Sequence, residues 1–161
     1  MKFVSVLLET IGVGLLGTYN SSLKIHGDFG LGPGCRIVLS KGASLEIGGK
    51  RDENSSGMSG ECRIMVSKRV VIGCDLLCAW NVFITDSDWH PIEGSEVTRE
   101  TRIGDHVWMT PNSTVLKGSH IGEGSILMNG TVALAQCFEA RSLIGGLPAR
   151  RVGKAGVWHQ S

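Results

Sequence analysis

The stretch from Ile103 to Phe138 divides into sixes: IGDHVW (103–108), MTPNST (109–114), VLKGSH (115–120), IGEGSI (121–126), LMNGTV (127–132) and ALAQCF (133–138). The first positions are Ile103, Met109, Val115, Ile121, Leu127 and Ala133, all apolar. The fifth positions are Val107, Ser113, Ser119, Ser125, Thr131 and Cys137, all small. Alternate residues of a strand face the same side, and the fifth residue of one repeat lies two before the first of the next. Both therefore point inward, the small one fitting a tight corner beside the large one. Glycine, Asp and Asn between them tolerate the bend. Three such repeats close a triangular coil, and stacked coils pair as parallel strands. A β-sandwich would alternate in the same way, but its turns would not fall at a fixed interval of six.

The period continues upstream in its own phase. Val66, Ile72, Cys78 and Ile84 lead VSKRVV, IGCDLL, CAWNVF and ITDSDW. A weaker series is led by Tyr19, Ile25, Leu31, Ile37 and Ala43, with Leu23, Phe29, Cys35 and Ile47 at fifth positions and Lys41 breaking it. Two segments interrupt the period. Gly48–Glu61 is polar and glycine-rich and reads as a loop or an irregular coil edge. WHPIEGSEVTRETR, residues 89–102, leaves an otherwise regular solenoid, and loops on rigid scaffolds often carry function.

Composition agrees. Twenty-three glycines in 161 residues, with only 4 prolines, suit many regular turns. The length suits one domain spanning residues 1–161, with an N-terminal segment (1–18), the loop (89–102) and a C-terminal tail (153–161). Sixteen basic against 15 acidic side chains leave a net charge of +1, and no basic stripe with interleaved aromatics points to nucleic acid. Cys35, Cys62, Cys74, Cys78 and Cys137 are odd in number, scattered and without zinc-site spacing. They read as reduced thiols of a cytoplasmic protein, several of them core residues, with no metal. Met1–Leu16 is apolar, but Glu9 interrupts it and no small-residue cleavage site follows. It is too short and broken for a membrane span and is expected to be buried or oligomer-facing.

Asp86, Asp88 and His90 fall together in ITDSDWHPI. A histidine can accept a proton near neutral pH, and a neighbouring carboxylate can hold its tautomer and steady the imidazolium. Either aspartate could do so, and a plain polar turn is the alternative reading. His106 and His120 occupy outward or corner positions and read as surface residues, while His26 and His159 carry no pattern. Trp108 either lines a pocket between neighbouring molecules or covers an apolar edge. Trp158 is expected to dock back on the last coil.

With IGDHVWMTPNSTVLKGSHIGEGSI, DSDWHPI and GGLPARRV, the chain resembles the hexapeptide-repeat acetyltransferases, most of all the maltose and galactoside O-acetyltransferases and those of cell-surface polysaccharide synthesis. The likeness runs from about Cys62 to Val152. It implies an all-β fold, a left-handed parallel β-helix with a protruding loop and a short C-terminal extension. It implies a homotrimer with sites in the clefts between copies, acetyl-CoA as co-substrate and a sugar or glycan-precursor acceptor. His90 matches the catalytic base. Pro111, Asn129 and Gly130 match contacts to the pantetheine arm, Trp108 a tryptophan near the thioester, and Arg150 the position that reaches the nucleotide phosphates, with Arg151 assisting. Guanidinium groups suit that task on chemical grounds.

The chain departs from the family in three places. Ala133-Leu134-Ala135-Gln136 replaces the usual VTKD, whose Thr and Lys hold CoA, and Thr110 and Met128 stand where glycines are usual. Two other functions fit the same repeat: a hydro-lyase like the γ-class carbonic anhydrases, with zinc on His90, His106 and His120, and a non-catalytic solenoid.

Overall fold

The computed structural model describes residues 13–51 and 56–159. The first coil is β1 (Gly14–Gly17), β2 (Ser22–Ile25) and β3 (Gly30–Leu31). The second is β4 (Arg36–Leu39), β5 (Ser44–Gly49) and β6 (Gly57–Gly60). The third is β7 (Arg63–Val66), β8 (Arg69–Cys74) and β9 (Leu77–Trp80), and the fourth β10 (Phe83–Thr85), β11 (Thr101–Ile103) and β12 (Trp108–Met109). The fifth is β13 (Thr114–Val115), β14 (His120–Ile121) and β15 (Ile126–Leu127), and the sixth β16 (Val132–Ala133), β17 (Cys137–Phe138) and β18 (Ser142–Gly145). A last strand, β19 (Arg150–Lys154), turns back antiparallel on β18.

Every third strand stacks on the one before, making three parallel sheets. Face one runs from β1 to β16, face two from β2 to β17, and face three from β3 to β18 with β19 at its end. The fold is a left-handed parallel β-helix. No described helix is long and apolar enough to cross a membrane.

The inward columns explain the period. Face one stacks Ile37, Ile64, Ile84, Val115 and Ala133 in register, shrinking towards the C-terminal end. Face two stacks Ile47, Ile72, Ile103 and Ile121, and face three Met58, Cys78, Met109, Leu127 and Ile144. All of these are buried, each large side chain contributing about 1.5–3 kcal/mol. Small fifth-position residues (Ser113, Ser119, Ser125 and Thr131) are buried at the corners beside them. The glycine after the lead answers to close approach. A Cβ at Gly104 would lie 2.7 Å from the Glu123 amide nitrogen, and one at Gly122 2.4 Å from that of Ala140.

Four features differ from the sequence expectation. Cys137 is exposed, because the turn at Leu134–Gln136 is one residue short: Val115 pairs with Ala133 but His120 pairs with Cys137. Phe138 therefore takes the inward place opposite Ile121. Tyr19 is 73% exposed at a turn, under the Lys41 ammonium, rather than leading a repeat into the core. Within Gly48–Glu61, residues 57–60 form a regular strand of face three between β3 and β9. Residues 52–55 lie outside the described residues, as do residues 1–12, so the expectation of a buried or oligomer-facing N-terminus falls mostly there. The described cysteines are free, and Cys35, Cys62 and Cys78 are buried. Burial pushes the Cys35 and Cys78 thiols above their ordinary pKa.

Candidate active site

The loop after β10 begins with Asp86, which is fully buried. Its carboxylate accepts the backbone N–H of Ser67 (2.7 Å), Lys68 (2.7 Å) and Arg69 (2.6 Å) in the tight turn of the coil before. A turn that sharp presents its amides together, with no strand to take them, so an anionic acceptor satisfies them at once. The segment then folds into a small hairpin. Asp88 N–H donates to Val97 O (3.0 Å) and Arg99 N–H to Asp86 O (3.0 Å), with bridges Ser87–Thr98 and Ile92–Ser95. Trp89, at φ +66°, is held by its own N–H to Ser87 Oγ at 2.9 Å.

Lys117 clamps the hairpin from the following coil. It is 4% exposed, forms an ion pair with Asp88, and donates to Ser95 Oγ (3.1 Å) and to Glu96 O. Sequence reading missed it, because a lysine at a repeat turn resembles any surface cation. Its one signal was the placement of Asp88 in a loop crossing the same corner. His90 is exposed near the hairpin's tip. Among the described residues neither aspartate bonds its ring: Asp86 anchors the turn and Asp88 is committed to Lys117.

The residues matched to acetyl-CoA gather elsewhere. Pro111 and Asn129–Gly130 stack at the turn from face three to face one, Gly130 N–H donating to Pro111 O at 3.3 Å. Gly130 sits at φ +71° in a column of left-handed residues with Asn112 (+60°) and Asn81 (+56°). Trp108 is half-buried on face three, in the strand leading into that turn. Arg150 and Arg151 are exposed on β19, beside Gly145 and Ile144 of the same face. Among the described residues they have no carboxylate partner. The chain thus brings Trp108, Pro111, Asn129, Gly130 and the arginines to one side of the prism. It places His90 on another edge, with face one between.

The tail reaches a different place from the one expected. Trp158 stacks on His106 (centroids 4.0 Å, planes 4° apart) and tilts against Trp108 at 6.0 Å. Its Nε1–H donates to His106 O at 3.2 Å. It covers the fourth coil, not the last, and His106 is accordingly half-buried rather than a free surface residue. Thr110 Oγ1 donates to Leu127 O (2.7 Å), and a Cβ on Gly145 would lie 3.0 Å from Met128 Sδ, so both bulky replacements pack along the face-three edge. His90, His106 and His120 lie on the loop, at the face-two to face-three turn and on face two, and within one chain they do not converge.

No family model matches the chain. Solved structures share its fold. A polysialic acid O-acetyltransferase, OatWY, superposes with a TM-score of 0.64 at 24% identity, covering 92% of each chain. A hexapeptide-repeat acetyltransferase of Vibrio cholerae, complexed with acetyl coenzyme A, gives 0.61 at 18%, covering 86% of this chain and 72% of that one. An N-acyltransferase of Bacillus cereus, AntD, in complex with a dTDP-linked amino sugar and coenzyme A, gives 0.61 at 13%, covering 92% and 87%.

Proposed function

We propose that the protein is an acetyl-CoA-dependent O-acetyltransferase acting on a hydroxyl of a sugar or polysaccharide precursor. The observation that carries this reading is His90, exposed near the tip of a hairpin anchored from both sides, on a scaffold shared with solved acetyltransferases. The neighbours whose names state an acceptor, or that hold a sugar, also handle carbohydrate. Free thiols suit a cytoplasmic setting.

Acetyl-CoA supplies an acetyl group already activated as a thioester. The protein's part is to hold and to move a proton. Arg150 and Arg151, exposed and without a carboxylate partner among the described residues, would bind the nucleotide phosphates. Trp108, Pro111, Asn129 and Gly130 would line the path of the pantetheine arm. His90 takes the acceptor hydroxyl's proton as its oxygen attacks the acetyl carbonyl, a backbone N–H steadies the developing oxyanion, and His90 returns the proton to the departing thiolate. Asp86 and Asp88 serve as positioning residues by fixing the hairpin. Because the base and the cofactor side occupy different edges, the working site is formed between copies, and a homotrimer closes such contacts in a ring.

The test is His90→Ala. Acetyl transfer should vanish while acetyl-CoA still binds by calorimetry; retained turnover would remove His90 from the chemistry. A non-catalytic solenoid is the second reading, favoured by Leu134 and Ala135 standing where Thr and Lys are usual, Ala135 at φ +53° in the shortened turn. Absence of acetyl-CoA binding by the native protein would decide for it.

A further inference from the structure

We propose that a cleft on face one is the acceptor subsite and that it selects sugars bearing a carboxylate, a proposal that rests on the acetyltransferase reading. The cleft holds about 290 Å3 and is lined by Arg63, Met65, Asn81, Phe83, Asn112 and Thr114. Register sets Arg63 beside Phe83 and Phe83 beside Thr114, so three successive outward side chains form its floor. The Arg63 guanidinium carbon stands 5.9 Å from the Phe83 ring centroid, and its Nη2 lies 3.5 Å from Asn81 Oδ1. Asn81 Nδ2 donates to Asn112 Oδ1 at 2.9 Å. That chain of contacts leaves the Asn112 amide NH2 without a protein acceptor among the described residues, on a side chain that lines the cleft.

Arg63 has no carboxylate partner among the described residues. Arg36, its register partner one strand down, has none either and extends the positive surface. Glu61, on the same edge, turns its carboxylate onto Gly34 instead. A planar cation held over an aromatic ring, with amide groups beside it, suits one ligand chemistry: a pyranose whose carboxylate meets the guanidinium fork and whose hydroxyls meet the amides. A neutral sugar would leave the cation unmatched. Position agrees, since Phe83 lies on the strand that launches the His90 hairpin, and Asn112 follows Pro111 on the cofactor edge. An acceptor on this face therefore lies beside the base that the same chain supplies to the site between copies.

The test compares glucuronate- and N-acetylneuraminate-containing oligosaccharides with their carboxyl-reduced forms and with a sugar phosphate. Binding is measured on the native protein by calorimetry without acetyl-CoA, and transfer with it. The acids should bind at least about tenfold tighter than their reduced forms, which corresponds to one charge-assisted contact. Arg63→Ala should erase that preference and raise KM for the acid without changing KM for acetyl-CoA, and Arg63→Lys should restore part of it. Equal binding of acid and reduced forms, no binding of either, or a preference for the phosphate would overturn the proposal. Loss of acetyl-CoA binding with the acid preference intact would sink the acetyltransferase reading alone.

Discussion

Asp86 and His90 stand on one short segment, yet their removal should take away different things. Asp86→Ala deletes the acceptor of three backbone N–H groups in the preceding turn. Stranding buried amides costs about 1–3 kcal/mol each when no water reaches them, so a loss of roughly 3 kcal/mol or more is expected in urea denaturation. His90→Ala, at an exposed position, should stay within about 0.5 kcal/mol of the native protein while turnover is lost. Equal effects on stability would mean that the anchor has been misassigned. The sequence put Asp86, Asp88 and His90 in one cluster but could not show that backbone amides fill the first carboxylate and a buried lysine the second. Those partners come from other coils, and no local pattern encodes them. The thiols give a second test at this scale. With Cys35 and Cys78 raised by burial above the ordinary 9.0, the folded state keeps their protons where the unfolded chain has lost them. The thiols' contribution to stability is therefore full below about pH 9 and falls as pH rises beyond it. A denaturation midpoint that holds steady through pH 10 would contradict this, and alkylation of the native protein should reach exposed Cys137 first.

Among the elements, the tail strand and its tryptophan carry the most consequence. Trp158 is 7% exposed and ties residues after β19 back to the fourth coil through one stack and two hydrogen bonds. Trp158→Ala should cost about 2–3 kcal/mol, less than a full core deletion because the ring packs on His106 and Trp108 outside the inward columns. Thermal unfolding should fall by several degrees, and Trp108 fluorescence should become more accessible to iodide. An unchanged quenching profile would mean that the tail does not dock in solution. The hexapeptide pattern gave most elements, because inward leads and small corners are set within each coil. It failed where a coil changes length. The turn at Leu134–Gln136 drops one residue and moves Cys137 outward, and β6 hides in a polar stretch because Gly57 and Gly60 make a strand whose only large inward side chain is Met58. A count of sixes cannot detect a deletion that pairing with the neighbouring coil corrects.

The whole prism decides how the site can be completed. His90 leaves at the turn from face one to face two, whereas Pro111, Asn129 and Gly130 line the turn from face three to face one. A rigid solenoid does not bend one edge onto another, since each coil's backbone is fixed by the next. On the proposed function catalysis is a property of the assembly, and sedimentation should give about three times the 17.2 kDa chain mass. Mixed assemblies make a sharper test. Subunits carrying His90→Ala are paired with subunits carrying Arg150→Ala, each inactive alone, and the two are unfolded and refolded together in equal amounts. In a ring of three where each site takes its base from one copy and its cofactor contacts from the next, every mixed ring holds one intact site. Three-quarters of the rings are mixed, so activity should return to about a quarter of the native level. A site built within one chain would give none, because every chain in the mixture lacks either the base or the phosphate contact. The recovered fraction therefore shows where the site lies without any need to know the acceptor's natural source.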